Sequence, residues 1–156
     1  MISHFFKQNK LRTRAFLGLL MCLTLSACSG SRPAYLGTAQ SSLQPCPSSP
    51  NCVSSLDDEE ESHRIAPFST ANNDISIANL VELISSNPSA KVIVDSENYL
   101  YAEYTSSLMG FVDDVEFLVN AAKQRIDVRS ASRVGRSDFG VNRERIESLR
   151  QELSEK

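Results

Sequence analysis

The chain has 156 residues and a formal net charge of −3. Four of its basic residues lie in the first 27 positions, and the 129 residues that follow carry a net charge of −7. That length supports one domain with a modest core. An acidic domain does not attract nucleic acid through its overall field, so we expect no nucleic-acid partner.

The N-terminus has the pattern of a bacterial export signal. Its first 14 residues contain four basic side chains and no acid. The apolar run Ala15 to Leu25 that follows is shorter than the ~20 residues needed to span a bilayer. It leads into Leu25-Ser26-Ala27-Cys28, which resembles the bacterial lipobox, where the cysteine thiol receives a diacylglycerol group. We predict a signal peptide at residues 1–27 and a lipoprotein carrying fatty acids such as palmitate at Cys28; the alternative is an ordinary signal peptide with a chance cysteine.

The residues after Cys28 indicate where the mature protein is held. Ser29 is not acidic, and by resemblance to lipoprotein sorting this favours the outer membrane over the inner one, on the periplasmic side. Residues 28–45 are rich in Ser, Gly and Pro and lack periodicity, which is typical of a flexible tether. We expect contact with the membrane through this N-terminal lipid anchor.

Two cysteines open the folded part of the chain, a single domain predicted over residues 46–156. Cys46 and Cys52 are separated by five residues of turn-forming type. In the oxidising periplasm this spacing favours a disulfide over a metal site. His63 is the only histidine after Cys28, so the further ligands of a zinc site are missing. We expect no metal and no cofactor.

Patterning predicts an α+β domain. A short extended segment at residues 63–68 precedes a helix whose apolar stripe spans residues 77–84. Asn72-Asn73-Asp74 offers N-caps for this helix, and Asn87-Pro88 ends it. Four strands are predicted at residues 91–95, 99–104, 115–119 and 125–132.

Asn142 is the predicted N-cap of a final helix. The resulting order is β-α-β-β-β-β-α. It implies a mainly antiparallel sheet of about four to five strands with two helices packed on one face.

The loop at residues 120–124 sets the register of the last two strands. It places Val119 opposite Ile126 and Glu116 close to Arg129. Asp113 has the parity of Val119, so it is predicted to point toward the covered face and to be buried and paired. Asp114 has the opposite parity and is expected to be more exposed.

Polar side chains are densest around this hairpin and the loop after it. The candidate polar site consists of Asp113, Asp114, Arg129, Ser130, Ser132, Arg133, Arg136, Asp138, Asn142 and Arg143. An unpaired buried charge costs several kcal/mol, so Asp113 requires a cation. The predicted partners are Arg133, Arg136 and Arg143. The group is either an ion-pair network that locks the sheet to the last helix or a pocket for a small anionic or hydroxylated ligand.

Three segments in the same order resemble a family of domains of unknown function, number 1499. They are Cys46-Pro-Ser-Ser-Pro-Asn-Cys-Val-Ser-Ser55, Phe111-Val-Asp-Asp-Val-Glu-Phe117, and Arg129-Ser-Ala-Ser-Arg-Val-Gly135 through Asn142-Arg143. The resemblance covers roughly residues 44 to 153. It implies no activity, because none is established for that family.

Two main classes of function fit these patterns, and a third reading, a purely structural partner of another envelope protein, would predict an exposed apolar patch. The first is a lipid-anchored binding or envelope-maintenance module without catalysis, whose partner is an envelope protein or a small anionic ligand. The second is an enzyme acting on a small anionic substrate, with Asp113 or Asp114 as a base and arginines holding the substrate. The sequence has no Ser-His-Asp set, GxSxG motif or phosphate loop, which favours the first class.

Overall fold

The computed structural model describes residues 29–38, 42–71 and 75–155. The elements are β1 (Cys52–Ser54), β2 (Phe68–Ser69), α1 (Ile77–Ser85), β3 (Ala90–Asp95), β4 (Tyr99–Thr105), β5 (Val112–Asn120), a 3₁₀ turn (Ala121–Lys123), β6 (Arg125–Ser132) and α2 (Val141–Ser154). The strands form one sheet in the order β1-β6-β5-β4-β3, with β2 also pairing with β6, and every strand pair is antiparallel. The predicted α+β fold is confirmed. The sheet reaches six strands because the short β1 and β2 share β6.

Both helices pack on one face of the sheet and enclose the main core. Leu80 and Ile84 of α1 and Ile146 of α2 are fully buried with Phe117 and Val128 of the sheet. Burying each such side chain contributes about 1.5–3 kcal/mol, so this core holds the two helices on the sheet. Neither helix of the described residues is long and apolar enough to cross a membrane.

The helix starts differ from the predicted ones. Residues 72–74, the predicted cap of α1, lie outside the described residues; within them, Ser76 caps α1 through reciprocal hydrogen bonds with Asn79. The prediction of Asn142 as N-cap of α2 is wrong, because the helix already begins at Val141. The capping carboxylate is that of Asp138, which accepts the backbone N–H of Asn142 at 2.9 Å.

The opposite face of the sheet is covered as well, by chain that precedes the disulfide. Leu36 and Leu43 are buried there against Tyr101 and form a second, smaller core. Residues 28–45 are predicted as a flexible tether, whereas the described parts of that segment pack on the sheet. The reason is that its two leucines cover tyrosine rings that the sheet presents on this side.

Two predicted connections are confirmed. The hairpin register places Val119 opposite Ile126, as expected from the loop at residues 120–124. Cys46 and Cys52 form a disulfide with their Cα atoms 5.7 Å apart. This bridge joins the start of β1 to the chain that covers the second face.

Candidate functional site

Five predicted site residues meet on the helix-covered face, where β5 begins and β6 ends: Asp113, Ser130, Ser132, Asp138 and Asn142. Asn142, fully buried on α2, connects them. Its amide nitrogen donates to Ser132 Oγ at 3.0 Å and to Asp138 Oδ2 at 2.9 Å, and its amide oxygen accepts from Ser130 Oγ at 2.5 Å. The period-two alternation of β6 turns both serines to this face, as predicted.

Arg145, which was not predicted from the sequence, completes this group. Its Nη2 lies 2.5 Å from Asp113 Oδ2, and its Nη1 donates to Asn142 Oδ1 at 2.7 Å and to Ser130 Oγ at 3.1 Å. Its guanidinium stacks 4.5 Å from the centroid of the Tyr104 ring. The signal that could have found it is helical spacing, because Arg145 follows Asn142 by three positions and projects from the same side of α2.

The cation that pairs with Asp113 therefore differs from the prediction. The carboxylate is partly buried and paired, but its partner is Arg145, and not Arg133, Arg136 or Arg143. Parity along a strand determines the face on which a side chain lies. It does not determine which helical residue reaches that face.

Asp114 organises a second group of charges on the opposite face. The residue is only 3% exposed, so the prediction that it would be more exposed than Asp113 is wrong. Arg133 binds it with Nε 2.9 Å from Oδ2 and Nη2 2.6 Å from Oδ1, and the Tyr101 hydroxyl donates to Oδ1 at 2.6 Å. Asp114 points away from the helices, but it is buried because the chain before the disulfide covers this side of the sheet.

Glu103 and Arg32 extend the second group toward solvent. Arg133 also donates to Glu103, and Arg32 Nη2 lies 2.6 Å from Glu103 Oε1. Burial raises the pKa of Glu103, but the hydrogen bonds from Arg133 and Arg32 outweigh it, so the pKa is lowered overall. In this second group, two guanidinium groups thus balance two carboxylates.

Glu116 and Arg129 form a third charged contact, deeper under the same face. Both are buried, and Arg129 Nη1 lies 3.8 Å from Glu116 Oε2, too far for a hydrogen bond. The Tyr99 hydroxyl donates to Glu116 Oε1 at 2.7 Å. Burial raises the pKa of Glu116 against the opposing effects of Tyr99 and Arg129. The predicted closeness of Glu116 to Arg129 is confirmed.

The other predicted site residues lie apart from these groups. Arg143 donates to the backbone carbonyls of Arg64 at 2.8 Å and Ser62 at 3.1 Å, so it ties α2 to the loop after β1. Arg136 is exposed and makes no hydrogen bond or ion pair with the described residues. Cys28, the predicted lipidation site, lies outside the described residues.

The model of the family described as protein of unknown function (DUF1499) matches residues 42–153. The chain belongs to the DUF1499 family. This confirms the resemblance found in the three sequence segments. Neither a curated protein nor a solved structure matches the chain.

The DUF1499 segment includes the disulfide, the whole sheet, α1 and all but the last residue of α2. Every residue of the three charged groups lies within it except Arg32. Residues 29–38, which cover the second face, precede it. The family domain of this protein is thus packed against a stretch of chain that lies outside the matched segment.

A shallow cavity of about 310 Å³ adjoins Arg145 and is lined in part by Tyr104 and Leu149. The Tyr104 hydroxyl is buried and has no hydrogen-bond partner among the described residues. Burial raises the pKa of Tyr104 to about 12, against the opposing effect of Arg145, so this hydroxyl is a neutral donor near pH 7. The described residues contain no group of three or more His, Cys, Asp or Glu side chains that could hold a metal ion.

Proposed function

We propose that this DUF1499 protein is a lipid-anchored, non-catalytic module of the bacterial cell envelope that acts by binding another envelope component. Its anchor is a diacylglycerol group on Cys28, which holds it on the periplasmic side of the outer membrane. One observation carries the non-catalytic part of the proposal. The carboxylates and arginines of the candidate site are bonded to each other, Asp113 to Arg145 and Asp114 to Arg133.

A reaction at these residues would require different surroundings. A general base needs a lone pair within hydrogen-bond reach of its substrate. Asp114 is buried and accepts hydrogen bonds from Arg133 and Tyr101. Arg133 donates to both Asp114 and Glu103. Groups engaged in this way stabilise a fold, and a binding module needs a stable fold with an exposed contact surface.

The alternative function is an enzyme that acts on a small anionic substrate through Asp and Arg side chains. The cavity beside Arg145 favours it, since the Tyr104 hydroxyl would donate to an oxygen atom bound there. A thermal-shift titration with acetate and with inorganic phosphate separates the two functions. A site for small anions raises Tm as the ligand concentration increases. The binding module, in which Arg133 and Arg145 are already paired with carboxylates, keeps its Tm.

The anchor is tested by intact mass. The full chain is expressed in a bacterium, and protein from the membrane fraction is expected to begin at Cys28 and to carry the mass of a diacylglycerol group. The matched control is Cys28→Ser, which should lack the lipid mass. Membrane-fraction protein that begins upstream of Cys28, or that has no lipid mass, would refute the anchor.

A further inference from the structure

We propose that one end of the domain docks directly on the bilayer that holds the lipid anchor. This apolar end consists of the β4–β5 loop (residues 106–111) and the β6–α2 loop with the first residue of α2 (residues 133–141). The inference rests on the proposed function, which places a lipid at Cys28. It adds a contact between the folded domain and the membrane surface, which a tethered domain would not need.

The apolar end concentrates the exposed apolar side chains of the molecule. Six large apolar side chains are exposed in the described residues, and five of them lie here: Leu108, Met109, Phe111, Phe139 and Val141. Leu108 is 89% exposed and Phe139 is 93% exposed. Single exposed apolar residues need no explanation, but a cluster of this kind marks a contact with a partner or a membrane.

The two loops are neighbours because of the strand pairing. Thr105 and Val112 form the last pair before the β4–β5 loop. At the start of the β6–α2 loop, the Arg133 N–H donates to the Val112 carbonyl at 3.1 Å. Both loops therefore extend beyond the same end of β5, and their apolar side chains are grouped at that end of the domain.

Both loops are held in shape. In the β4–β5 loop, the Ser106 N–H donates to the Phe111 carbonyl at 2.9 Å, and Ser106 Oγ accepts the Phe111 N–H at 2.9 Å. In the β6–α2 loop, Phe139 has a φ of 56°, a left-handed conformation that bulky residues rarely adopt. A side chain that is both exposed and held in an unfavourable conformation adds little to stability, which points to a role in contact.

The predicted anchor is attached at the same end. A Cβ atom on Gly30 would lie 2.9 Å from Arg133 Cβ and 3.0 Å from Val134 Cγ1, so Gly30 packs directly on the β6–α2 loop. Cys28 lies outside the described residues and precedes Gly30 by two positions. Two residues span at most about 7 Å. A lipid on Cys28 is therefore joined to the domain at its apolar end.

The charge distribution also favours the apolar end as the part of the domain that contacts the membrane. The β4–β5 loop contains no charged residue, and Arg136 in the β6–α2 loop is exposed and without an ion pair among the described residues. Asp57 pairs with Lys123 and Arg125 at the opposite end of β6. Anionic lipid headgroups repel an acidic domain and attract exposed basic side chains. The apolar end presents the exposed Arg136, and its one acidic side chain, Asp138, already accepts backbone N–H groups at the start of α2.

Tryptophan reporters test this orientation, because the chain has no tryptophan. Leu108→Trp and Phe139→Trp place a single fluorophore at the apolar end, at exposed positions where folding is unaffected. Ala122→Trp is the control, in the exposed turn between β5 and β6. The eight residue steps of β5 separate this turn from the apolar end by about 26 Å. The acylated proteins are inserted into vesicles of phosphatidylethanolamine and phosphatidylglycerol with brominated acyl chains. We expect blue-shifted, quenched emission at positions 108 and 139 and unquenched emission at position 122.

The outcomes separate docking from anchoring. Lipid-bearing protein that floats with the vesicles, with all three reporters equally quenched or all unquenched, overturns docking and leaves the anchor intact. Sedimentation of a dimer with unquenched reporters also overturns it, because the surface would then bind a second copy.

The Cys28→Ser protein tests docking without the anchor. Its reporters at positions 108 and 139 should be quenched only at high lipid concentration, and Leu108→Ser with Phe139→Ser should weaken vesicle binding by at least roughly tenfold. If Cys28 is found unmodified, the proposed function fails while this measurement still decides docking. If the reporters at positions 108 and 139 of the Cys28→Ser protein are both unquenched even at high lipid concentration, the docking proposal is wrong.

Discussion

Replacing Arg133 with Gln removes the guanidinium that holds the second face of the sheet together. Arg133 donates to Asp114 through Nε and Nη2 and also to Glu103. After the substitution Glu103 keeps Arg32, but Asp114 keeps only the Tyr101 hydroxyl. A carboxylate that is 3% exposed is then left without a countercharge.

The magnitude follows from that burial. Removing one partner of a buried ion pair costs about 3–5 kcal/mol. Tyr101 continues to donate to Asp114, so we take the lower end, about 3 kcal/mol. For a domain of roughly 100 residues each kcal/mol shifts Tm by about 4–8 °C. The Arg133→Gln protein should therefore melt at least about 12 °C below the wild type.

The assay is urea unfolding of wild type, Arg133→Gln, Asp114→Asn and the double variant. The double variant should lose clearly less than the sum of the single losses, because neither charge is left alone. The matched control is Glu61→Gln, which removes an ion pair with Arg64 whose Glu61 side chain is 90% exposed. It should change the free energy of unfolding by less than about 0.5 kcal/mol.

Two results would refute this reasoning. Strictly additive losses would mean that Arg133 and Asp114 do not stabilise each other. An unchanged or increased stability of Arg133→Gln would mean that the charges are held together at a cost, as at sites that serve a function. The second result would favour the enzyme over the binding module.

Two further substitutions test other parts of the structure. Gly37→Ala and Gly110→Ala both place a side chain at positive φ, which costs about 1–2 kcal/mol. Only at Gly37 would the new Cβ also meet neighbours, since it would lie 3.3 Å from Val94 Cγ2 and 3.4 Å from Tyr101 Cδ1. Gly37→Ala should therefore lose more stability in urea, and equal losses would contradict the packing of residues 29–38. Asp138 accepts backbone N–H groups at the start of α2, and its pKa is lowered because these bonds outweigh the opposing effect of burial. A lowered pKa in the folded state gives stability that is present at neutral pH and lost as pH falls below about 4. Asp138→Ala should therefore lower the free energy of unfolding by roughly 1 kcal/mol at pH 7 and by less in acid. A loss that does not change with pH would contradict the role of Asp138 as a helix cap.

Local patterns account for the parts of the fold that were predicted. The alternation in β5 and β6 and the short loop between them were enough to pair Val119 with Ile126, because register depends on nearby residues. The spacing of Cys46 and Cys52 likewise predicted their bond. The N-cap of α2 was placed two residues too late, at Asn142 instead of Gly140. Asn142 is a good capping residue, and only the path of the loop brings the Asp138 carboxylate to the start of the helix.

The candidate site was predicted in composition but not in pairing. Nearly all of the polar residues named from the sequence belong to a charged group, yet they divide between two faces. Strand parity gives the face on which Asp113 lies but not which side chain of α2 reaches it. The predicted partner Arg143 is only two positions from Arg145, but it donates to backbone carbonyls of the loop after β1 instead.

The sequence by itself determined the export signal pattern, the class of fold, the register of the last hairpin and the face on which each carboxylate lies. Each depends on periodicity or spacing within a few residues. Only the tertiary structure decided what covers each face. Arg145 reaches Asp113 from α2, and chain from before the disulfide buries Asp114 beside Arg133. Burial depends on contacts between distant segments, and the pattern of a strand is the same whether its second face meets water or packed chain.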